Sequence, residues 1–121
     1  MMPDKIKIFL VDDQKIANFI TQKLLQTSNI DCEVLAFDQP IQALDAVEKD
    51  LPNFIFLDLN MPKLNGWQFL EQMQKNITSK VIILTSSSDP ADVEKAKDFP
   101  QVISYQTKPP SREILQELIL G

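Results

Sequence analysis

Residues 54–62 have the sequence FIFLDLNMP, in which four consecutive apolar residues run directly into an aspartate. A short run with no polar residue at alternate positions is typical of a strand that is covered on both faces. Such strands occupy the centre of parallel sheets, where helices pack on both sides. Because charged side chains are seldom buried without a partner, the aspartate that follows this strand, Asp58, is a candidate functional residue.

The same alternation of apolar strands and helical patterns continues along the whole chain. Five strand–helix units in succession predict an α/β fold, a doubly wound parallel sheet with helices on both faces, formed as one domain by residues 1–121. The third and fourth strands are wholly apolar and should be central, whereas the second begins with polar residues and should lie at an edge. We predict strands at residues 6–11, 33–37, 54–57, 81–84 and 102–105, and helices at residues 15–27, from Pro40, at 66–75, from Pro90 to about 98 and after Ser111.

The spacing of apolar residues marks one face on each of several predicted helices. Residues three and four positions apart lie on the same side of a helix, and in the third and last helices they should face inward. The positions are Ile16, Phe19, Ile20 and Leu24 in the first helix, Phe69, Leu70 and Met73 in the third, and Ile114, Leu115 and Leu118 in the last.

Missing residue types exclude several classes of function. The sequence contains no histidine, which excludes Ser-His-Asp and Cys-His catalysis, histidine-ligated zinc and a role as the phosphohistidine carrier. Its two glycines, Gly66 and Gly121, cannot form a glycine-rich phosphate-binding loop. The net charge is −5, with acidic and basic residues interspersed, which argues against direct binding of nucleic acid.

Signals for a membrane or for export are absent from the sequence. No apolar run approaches the roughly 20 residues that a membrane-spanning helix needs, and the N-terminus lacks the pattern of a signal peptide. The single cysteine, Cys32, excludes an internal disulfide and suits a reducing compartment. We therefore expect a cytoplasmic protein with no membrane partner.

Polar residues follow the predicted strands at positions that should meet. The first strand ends in Asp12 and Asp13, the third in Asp58 and the fourth in Thr85. Lys108 comes shortly after the fifth strand. A parallel sheet brings these strand ends to one edge, where ligands bind in open α/β sheets.

The three acids predict a Mg²⁺ site, because a hard divalent cation relieves the repulsion among clustered carboxylates. Asp13 and Asp58 are the expected direct ligands, and Asp12 binds directly or through water. The backbone carbonyl of Asn60 is a further candidate oxygen. With Mg²⁺ and Lys108 neutralising the incoming oxygens, the Asp58 carboxylate can act as a nucleophile toward phosphorus.

Each of these residues has an ordinary explanation when it is taken alone. Asp12 and Asp13 could simply favour the N-terminus of the first helix, and Thr85 is a common residue type in strands. The prediction of a site depends on their coincidence at one edge of one sheet.

In their order along the chain, these residues resemble the motifs of response regulator receiver domains, the family of the chemotaxis receiver. The resemblance covers almost the whole chain and implies a flavodoxin-like fold with strand order 2-1-3-4-5. It rests on Asp12-Asp13, on Asp58-Leu59-Asn60-Met61-Pro62 with Gly66, which fits the run D-x-x-M-P-x-x-x-G, and on Thr85-Ser86, Tyr105 and Lys108-Pro109.

The resemblance also implies a role for each matching residue and a cis peptide bond between Lys108 and Pro109. The matching positions are the phosphoacceptor Asp58, the metal-site acids Asp12 and Asp13, the switch hydroxyl Thr85, the phosphate-pairing Lys108, the aromatic switch Tyr105, and Asn60 and Ser87, which tune autodephosphorylation.

The partners implied by the resemblance are those of a signalling switch rather than of an enzyme. A histidine kinase or a histidine phosphotransfer protein would donate the phosphoryl group to Asp58. The altered surface of the fourth helix, fifth strand and fifth helix would then bind an unknown downstream protein or form a homodimer.

Two features depart from the family's pattern, and two other functions stay open. Residues 98–101 have the sequence DFPQ where many members carry Gly-Ala, and the short last helix fits either a stand-alone regulator or a piece of a longer protein. One alternative is a degenerate receiver that binds proteins without being phosphorylated. The other is an aspartyl-phosphate phosphohydrolase of the haloacid dehalogenase type, although that family needs a second acid where this chain has Asn60.

Overall fold

The computed structural model describes residues 5–73 and 77–121. Strands and helices alternate along the chain, in agreement with the five predicted units. The elements are β1 (Ile6–Val11), α1 (Lys15–Gln26), β2 (Cys32–Phe37), α2 (Pro40–Asp50), β3 (Phe54–Leu57), α3 (Gly66–Gln72), β4 (Lys80–Thr85), α4 (Pro90–Ala96), β5 (Val102–Thr107) and α5 (Arg112–Leu120).

The five strands form one parallel sheet with the order β2-β1-β3-β4-β5, as predicted. All four residues of β3 are buried, and β4 is buried from its second residue onward, so the two wholly apolar strands are interior to the sheet. The edge strand β2 has no fully buried residue. This order brings the ends of β1, β3 and β4 side by side.

Alternate residues of the central strands point into hydrophobic cores on the two faces of the sheet, and a smaller cluster holds Leu59, Ile83 and Ala96. One core contains Phe9, Ile55 and Leu57 with residues of α2 and α3. The other contains Ile8, Phe56 and residues of α1 and α5. The helices are therefore divided between the two faces, as a doubly wound sheet requires.

Most predicted helix features are present in the structure. Pro40 occupies the first turn of α2, and the Ser111 hydroxyl caps α5 by accepting a hydrogen bond of 3.1 Å from the Ile114 amide. The helix α4 ends at Ala96, before the predicted end near residue 98. The helix α3 ends at Gln72, before the predicted end at residue 75, because Met73 is extended; residue 75 itself lies outside the described residues. The predicted inner faces of α3 and α5 contact the cores through Phe69, Leu70, Met73, Leu115 and Leu118. Ile114, also predicted to face inward, is only half-buried and is not part of either core.

The apolar face marked on α1 does not pack against the sheet. Ile16, Phe19 and Ile20 are 76%, 59% and 43% exposed, whereas Asn18 and Thr21 are buried. Of the four marked residues, Leu24 is the one that contacts a core, in which Leu25 is fully buried. Among residues 5–73 and 77–121, no helix is long and apolar enough to cross a membrane.

Candidate functional site

Three carboxylates meet where β1 and β3 end. Asp12 and Asp13 follow β1, Asp58 follows β3, and oxygens of all three lie within 4.8 Å of one another. Asp12 and Asp58 are each only 5% exposed. The edge predicted from the sequence therefore holds a concentrated, largely buried negative charge.

Backbone contacts fix the positions of these carboxylates. The Asp12 amide donates a hydrogen bond of 3.1 Å to the Phe37 carbonyl, and the Asp58 amide donates one of 3.0 Å to the Val11 carbonyl. A Cβ atom added to Gly66 would lie 2.6 Å from the Asp58 carbonyl oxygen. Only glycine lets the first turn of α3 approach the backbone after β3 this closely. This close approach explains why the motif has a glycine at position 66.

Lys108 brings a positive charge into the carboxylate cluster. Its Nζ contacts the Asp12 Oδ2 atom and lies 3.5 Å from the Asp58 Oδ2 atom. Its backbone amide donates a hydrogen bond of 2.9 Å to the Thr85 carbonyl. The following peptide bond, to Pro109, is cis. The lysine is therefore held at the site from a strand that lies two strands away from β3.

The pKa of Asp58 is raised above its usual value. Burial is the largest cause, and repulsion from Asp12 adds to it. Attraction by Lys108 and hydrogen bonds from the Asn60 backbone and the Thr85 side chain act in the opposite direction. These opposing effects are those expected of a carboxylate at a functional site.

The donor set fits a hard divalent cation. Within the described part of the chain, the Asp13 Oδ1 atom is buried and has no hydrogen-bond partner. Carboxylate oxygens are the ligands that Mg²⁺ prefers. A cation bound among Asp12, Asp13 and Asp58 would give that oxygen a partner and would reduce the repulsion in the cluster. The Asn60 backbone lies close enough to the Asp58 carboxylate to lower its pKa.

A second group of predicted residues surrounds Ser87 at the end of β4. Thr85 is fully buried, and its Oγ1 atom accepts a hydrogen bond of 3.3 Å from the Ser87 amide. The Tyr105 hydroxyl donates one of 2.8 Å to the Ser87 carbonyl. The Ser87 hydroxyl donates one of 2.8 Å to the carboxylate of Asp92, in α4. The pKa of Tyr105 is raised, mainly by burial.

Sequence reasoning missed two residues that support this arrangement. The buried amide of Asn18 donates hydrogen bonds to the Asp12 carbonyl (3.0 Å) and the Phe37 carbonyl (3.2 Å). Asp92 binds the Ser87 hydroxyl, but in the sequence it is one of two acids at the start of α4 and looks no different from Asp89. The one signal for Asn18 in the sequence was its position as a polar residue between the apolar residues Ile16 and Phe19 of α1.

The chain resembles known proteins over almost its entire length. A family model described as the response regulator receiver domain matches residues 8–120. The chain is 31% identical to the response regulator Rcp1 of Synechocystis, over 98% of this chain and 86% of that protein. It is similar to the crystal structure of a two-component response regulator from Cytophaga hutchinsonii, with 28% identity, a TM-score of 0.85 and 95% of each chain covered. The Mn²⁺-bound form of response regulator Rcp1 has 29% identity and a TM-score of 0.76, with 95% of this chain and 89% of that chain covered.

Proposed function

Because the chain belongs to the response regulator receiver domain family, whose members act as switches of two-component signalling, we propose that Asp58 accepts a phosphoryl group and that the domain then signals to a partner protein. The observation that carries this proposal is the meeting of Asp12, Asp13, Asp58 and Lys108 at one edge of the sheet. The phosphoryl donor is a phosphohistidine of a histidine kinase or of a histidine phosphotransfer protein.

In the proposed reaction, an oxygen of the Asp58 carboxylate attacks the phosphorus atom in line. The bond between phosphorus and the donor's histidine nitrogen breaks, and its electron pair stays on that nitrogen. The attack needs the charged form of Asp58. Burial disfavours this form, while Lys108 and the hydrogen bonds from Asn60 and Thr85 favour it.

Asp12, Asp13 and Asp58, with the backbone carbonyl of Asn60, would hold Mg²⁺. When bound, the metal supplies positive charge to the phosphoryl oxygens. A similar protein, Rcp1, is described in a Mn²⁺-bound form, which supports a divalent metal here. Lys108 lies close enough to Asp58 to meet a phosphoryl oxygen with its ammonium group.

Thr85 and Tyr105 are the residues proposed to change conformation when Asp58 is phosphorylated. The Thr85 hydroxyl, which already interacts with the Asp58 carboxylate, would move closer to bind a phosphoryl oxygen, and Tyr105 would shift into the space that Thr85 leaves. Both residues contact Ser87 in the structure, so both movements would change the start of α4. Asn60 and Ser87 are proposed to set the rate at which water removes the phosphoryl group.

We place the docking surface for the donor protein on α1. Ile16, Phe19 and Ile20 form an exposed apolar stripe in this helix, which begins two residues after Asp13. Lys23 lies over the Phe19 ring at 5.4 Å. A donor that delivers a phosphoryl group to Asp58 must cover the rim of the site, and the first residue of this stripe, Ile16, follows Asp13 by three positions in the chain. Apolar surface next to a polar site is typical of protein-binding surfaces.

The test is the mass of the intact protein after incubation with acetyl phosphate, with Mg²⁺ or with EDTA. We expect one added phosphoryl group that requires Mg²⁺ and is absent in Asp58→Asn. Asp45→Asn, which changes an exposed carboxylate of α2, is the matched control and should be labelled like the wild type. Equal labelling of Asp58→Asn would refute the assignment of the phosphoacceptor. A wild type that binds partners but is labelled neither by acetyl phosphate nor by its kinase would instead be a degenerate receiver.

Other expectations for this protein stay predictions. They are a single domain over residues 1–121, a cytoplasmic location, a possible homodimer through α4, β5 and α5, and no direct binding of nucleic acid.

A further inference from the structure

The buried side chain of Asn18, in α1, holds the loop that contains two of the site's acids. Its Nδ2 atom donates hydrogen bonds of 3.0 Å to the Asp12 carbonyl and 3.2 Å to the Phe37 carbonyl. The Phe37 carbonyl also accepts a hydrogen bond of 3.1 Å from the Asp12 amide. One side-chain amide therefore fixes the carbonyl of Asp12 directly and binds the same acceptor as the N–H group of Asp12.

The direction of the Asp13 carboxylate depends on the peptide groups on either side of this residue. Within residues 5–73 and 77–121, its Oδ1 atom is buried without a hydrogen-bond partner, so no donor holds that oxygen in place. The peptide before Asp13 is held at the Asp12 carbonyl by Asn18. The peptide after it is held by the Gln14 amide, which donates a hydrogen bond of 2.9 Å to the Asp12 carboxylate. Of these two contacts, the one from Asn18 is made by a side chain that is not itself a candidate metal ligand.

We propose that Asn18 is a positioning residue of the metal site. By holding the Asp12 carbonyl, it keeps the Asp13 carboxylate aimed at the other two acids, whose oxygens lie within 4.8 Å of it. Groups that orient metal ligands change metal affinity by about tenfold or more when they are removed, although they do not touch the metal. This inference rests on the proposed binding of a divalent cation by Asp12, Asp13 and Asp58, and it adds a residue outside that ligand set.

The experiment measures the affinity of the full chain for Mn²⁺, because electron paramagnetic resonance detects the unbound ion directly. Asn18→Leu nearly keeps the volume of the side chain and removes both hydrogen bonds. We expect this variant to bind Mn²⁺ about tenfold more weakly than the wild type. Asn18→Ala should weaken binding less, because a water molecule can enter the space that the shorter side chain leaves and donate to the Asp12 carbonyl.

A matched control separates positioning of the acids from a general loss of stability. Leu24→Ala shortens a half-buried side chain of the same helix that packs against a hydrophobic core. It should lower the melting temperature while the affinity for Mn²⁺ stays at the wild-type value, because Leu24 does not contact the loop after β1. An equal loss of affinity in Leu24→Ala and Asn18→Leu would assign the effect to weaker packing of α1 and overturn the proposal.

The energetic coupling between Asn18 and Asp13 is a second readout. If Asn18 acts through the Asp13 carboxylate, the effects of the two substitutions on Mn²⁺ affinity should not add. In a chain that already carries Asp13→Ala, Asn18→Leu should therefore cause little further loss of affinity. A further loss as large as the one in the wild-type background would mean that Asn18 acts by another route, and it would overturn the proposal.

Thermodynamic linkage supplies a test on the unmutated chain, which decides the proposal even if a variant does not fold. If the Asn18 contact favours metal binding, metal binding must strengthen the contact by the same factor. Exchange of the Asn18 side-chain amide protons with solvent should therefore slow when Mg²⁺ is added. Exchange at Asn53, which precedes β3 at the opposite edge of the sheet, should not change. An unchanged rate at Asn18 would overturn the proposal.

The outcomes separate this role from the function on which it rests. A wild type that binds no Mn²⁺ refutes the metal site and, with it, the role of Asn18. Wild-type affinity in Asn18→Leu refutes the role of Asn18 alone. Phosphorylation of Asp58 is measured separately, by the mass of the intact protein, so a chain that binds Mn²⁺ without being phosphorylated would refute the proposed function and leave the result for Asn18 unchanged.

Discussion

The helices α1 and α5 pack against the same face of the sheet but use their apolar residues differently. In α5, Leu115 is fully buried and Ile119 is 8% exposed. In α1, most of the apolar face marked by the sequence points away from the sheet, and Asn18 and Thr21 are buried instead. The same periodic pattern thus marks a core face in one helix and a solvent face in the other.

The difference has a physical reason in what each helix must contact. The N-terminal half of α1 packs beside the ends of β1 and β2, where the Asp12 carbonyl needs a hydrogen-bond donor. The side chain of Asn18 donates to this carbonyl and gives the Phe37 carbonyl a second donor beside the Asp12 amide. Because α5 lies over the apolar interior of β1, β3 and β4, it meets few such groups. Satisfying buried carbonyls outweighed burying Ile16 and Phe19, because a buried polar group without a partner is costly.

The largest expected effect is on the α5 side of this comparison. Leu115→Ala should lower the free energy of unfolding by about 2–5 kcal/mol, because it leaves a cavity in the core. Chemical denaturation measures this change. Leu120→Ala, in the same helix but at a position that is 59% exposed, is the control and should change stability by less than about 0.5 kcal/mol. Equal losses in the two variants would contradict the assigned faces of α5.

The second largest effect is expected for Asn18, whose hydrogen bonds determine which face of α1 is buried. Asn18→Ala should cost about 1–3 kcal/mol of unfolding free energy, because the Asp12 carbonyl loses the Asn18 donor and the Phe37 carbonyl keeps only the Asp12 amide. The exposed Gln26 of the same helix provides the control, as Gln26→Ala. If Asn18→Ala is as stable as this control, hydrogen bonding by Asn18 does not determine which face of α1 is buried.

In contrast to these two substitutions, Asp58→Asn should increase the stability of the metal-free protein at neutral pH. The folded-state pKa of Asp58 is raised, so between its usual pKa and the raised one the folded protein binds more protons than the unfolded chain does. Stability is therefore lost as pH rises through this window. Without metal, Asp58→Asn should melt at a higher temperature than the wild type at pH 7, and the two should converge at a pH below the usual pKa. A variant that melts lower at pH 7 would contradict burial and repulsion as the main causes.

The smallest effect on stability is expected on the exposed face of α1. Phe19→Ala should change the unfolding free energy by less than about 1 kcal/mol, mainly through the contact with Lys23. It should nevertheless slow phosphoryl transfer from the cognate kinase, because the donor loses apolar contact. Labelling by acetyl phosphate is the internal control, since this small donor needs no docking surface. Equal slowing with both donors would argue against a docking role for the stripe.

The sequence predicted the strands and their end residues well because these depend on short-range patterns. Wholly apolar runs identified β3 and β4 as interior strands, and the acids that follow β1 and β3 lie together because parallel strands end at one edge. Asp92 and Asn18 could not be found in the same way. Their partners, Ser87 and the carbonyls of Asp12 and Phe37, are brought to them by loop geometry and helix rotation, which no local spacing encodes.

The amino-acid sequence by itself determined the α/β class, the central strands, the edge that holds the carboxylates, and the resemblance to receiver domains. Periodicity and the rule for parallel strands are enough for these features, because they follow from local chain geometry. The tertiary structure decided which face of α1 is buried, how Lys108 reaches the carboxylates of Asp12 and Asp58, and that Ser87 is tied to Asp92. These features depend on the distances and hydrogen bonds between segments that are distant in the chain, and those exist only after the sheet has formed.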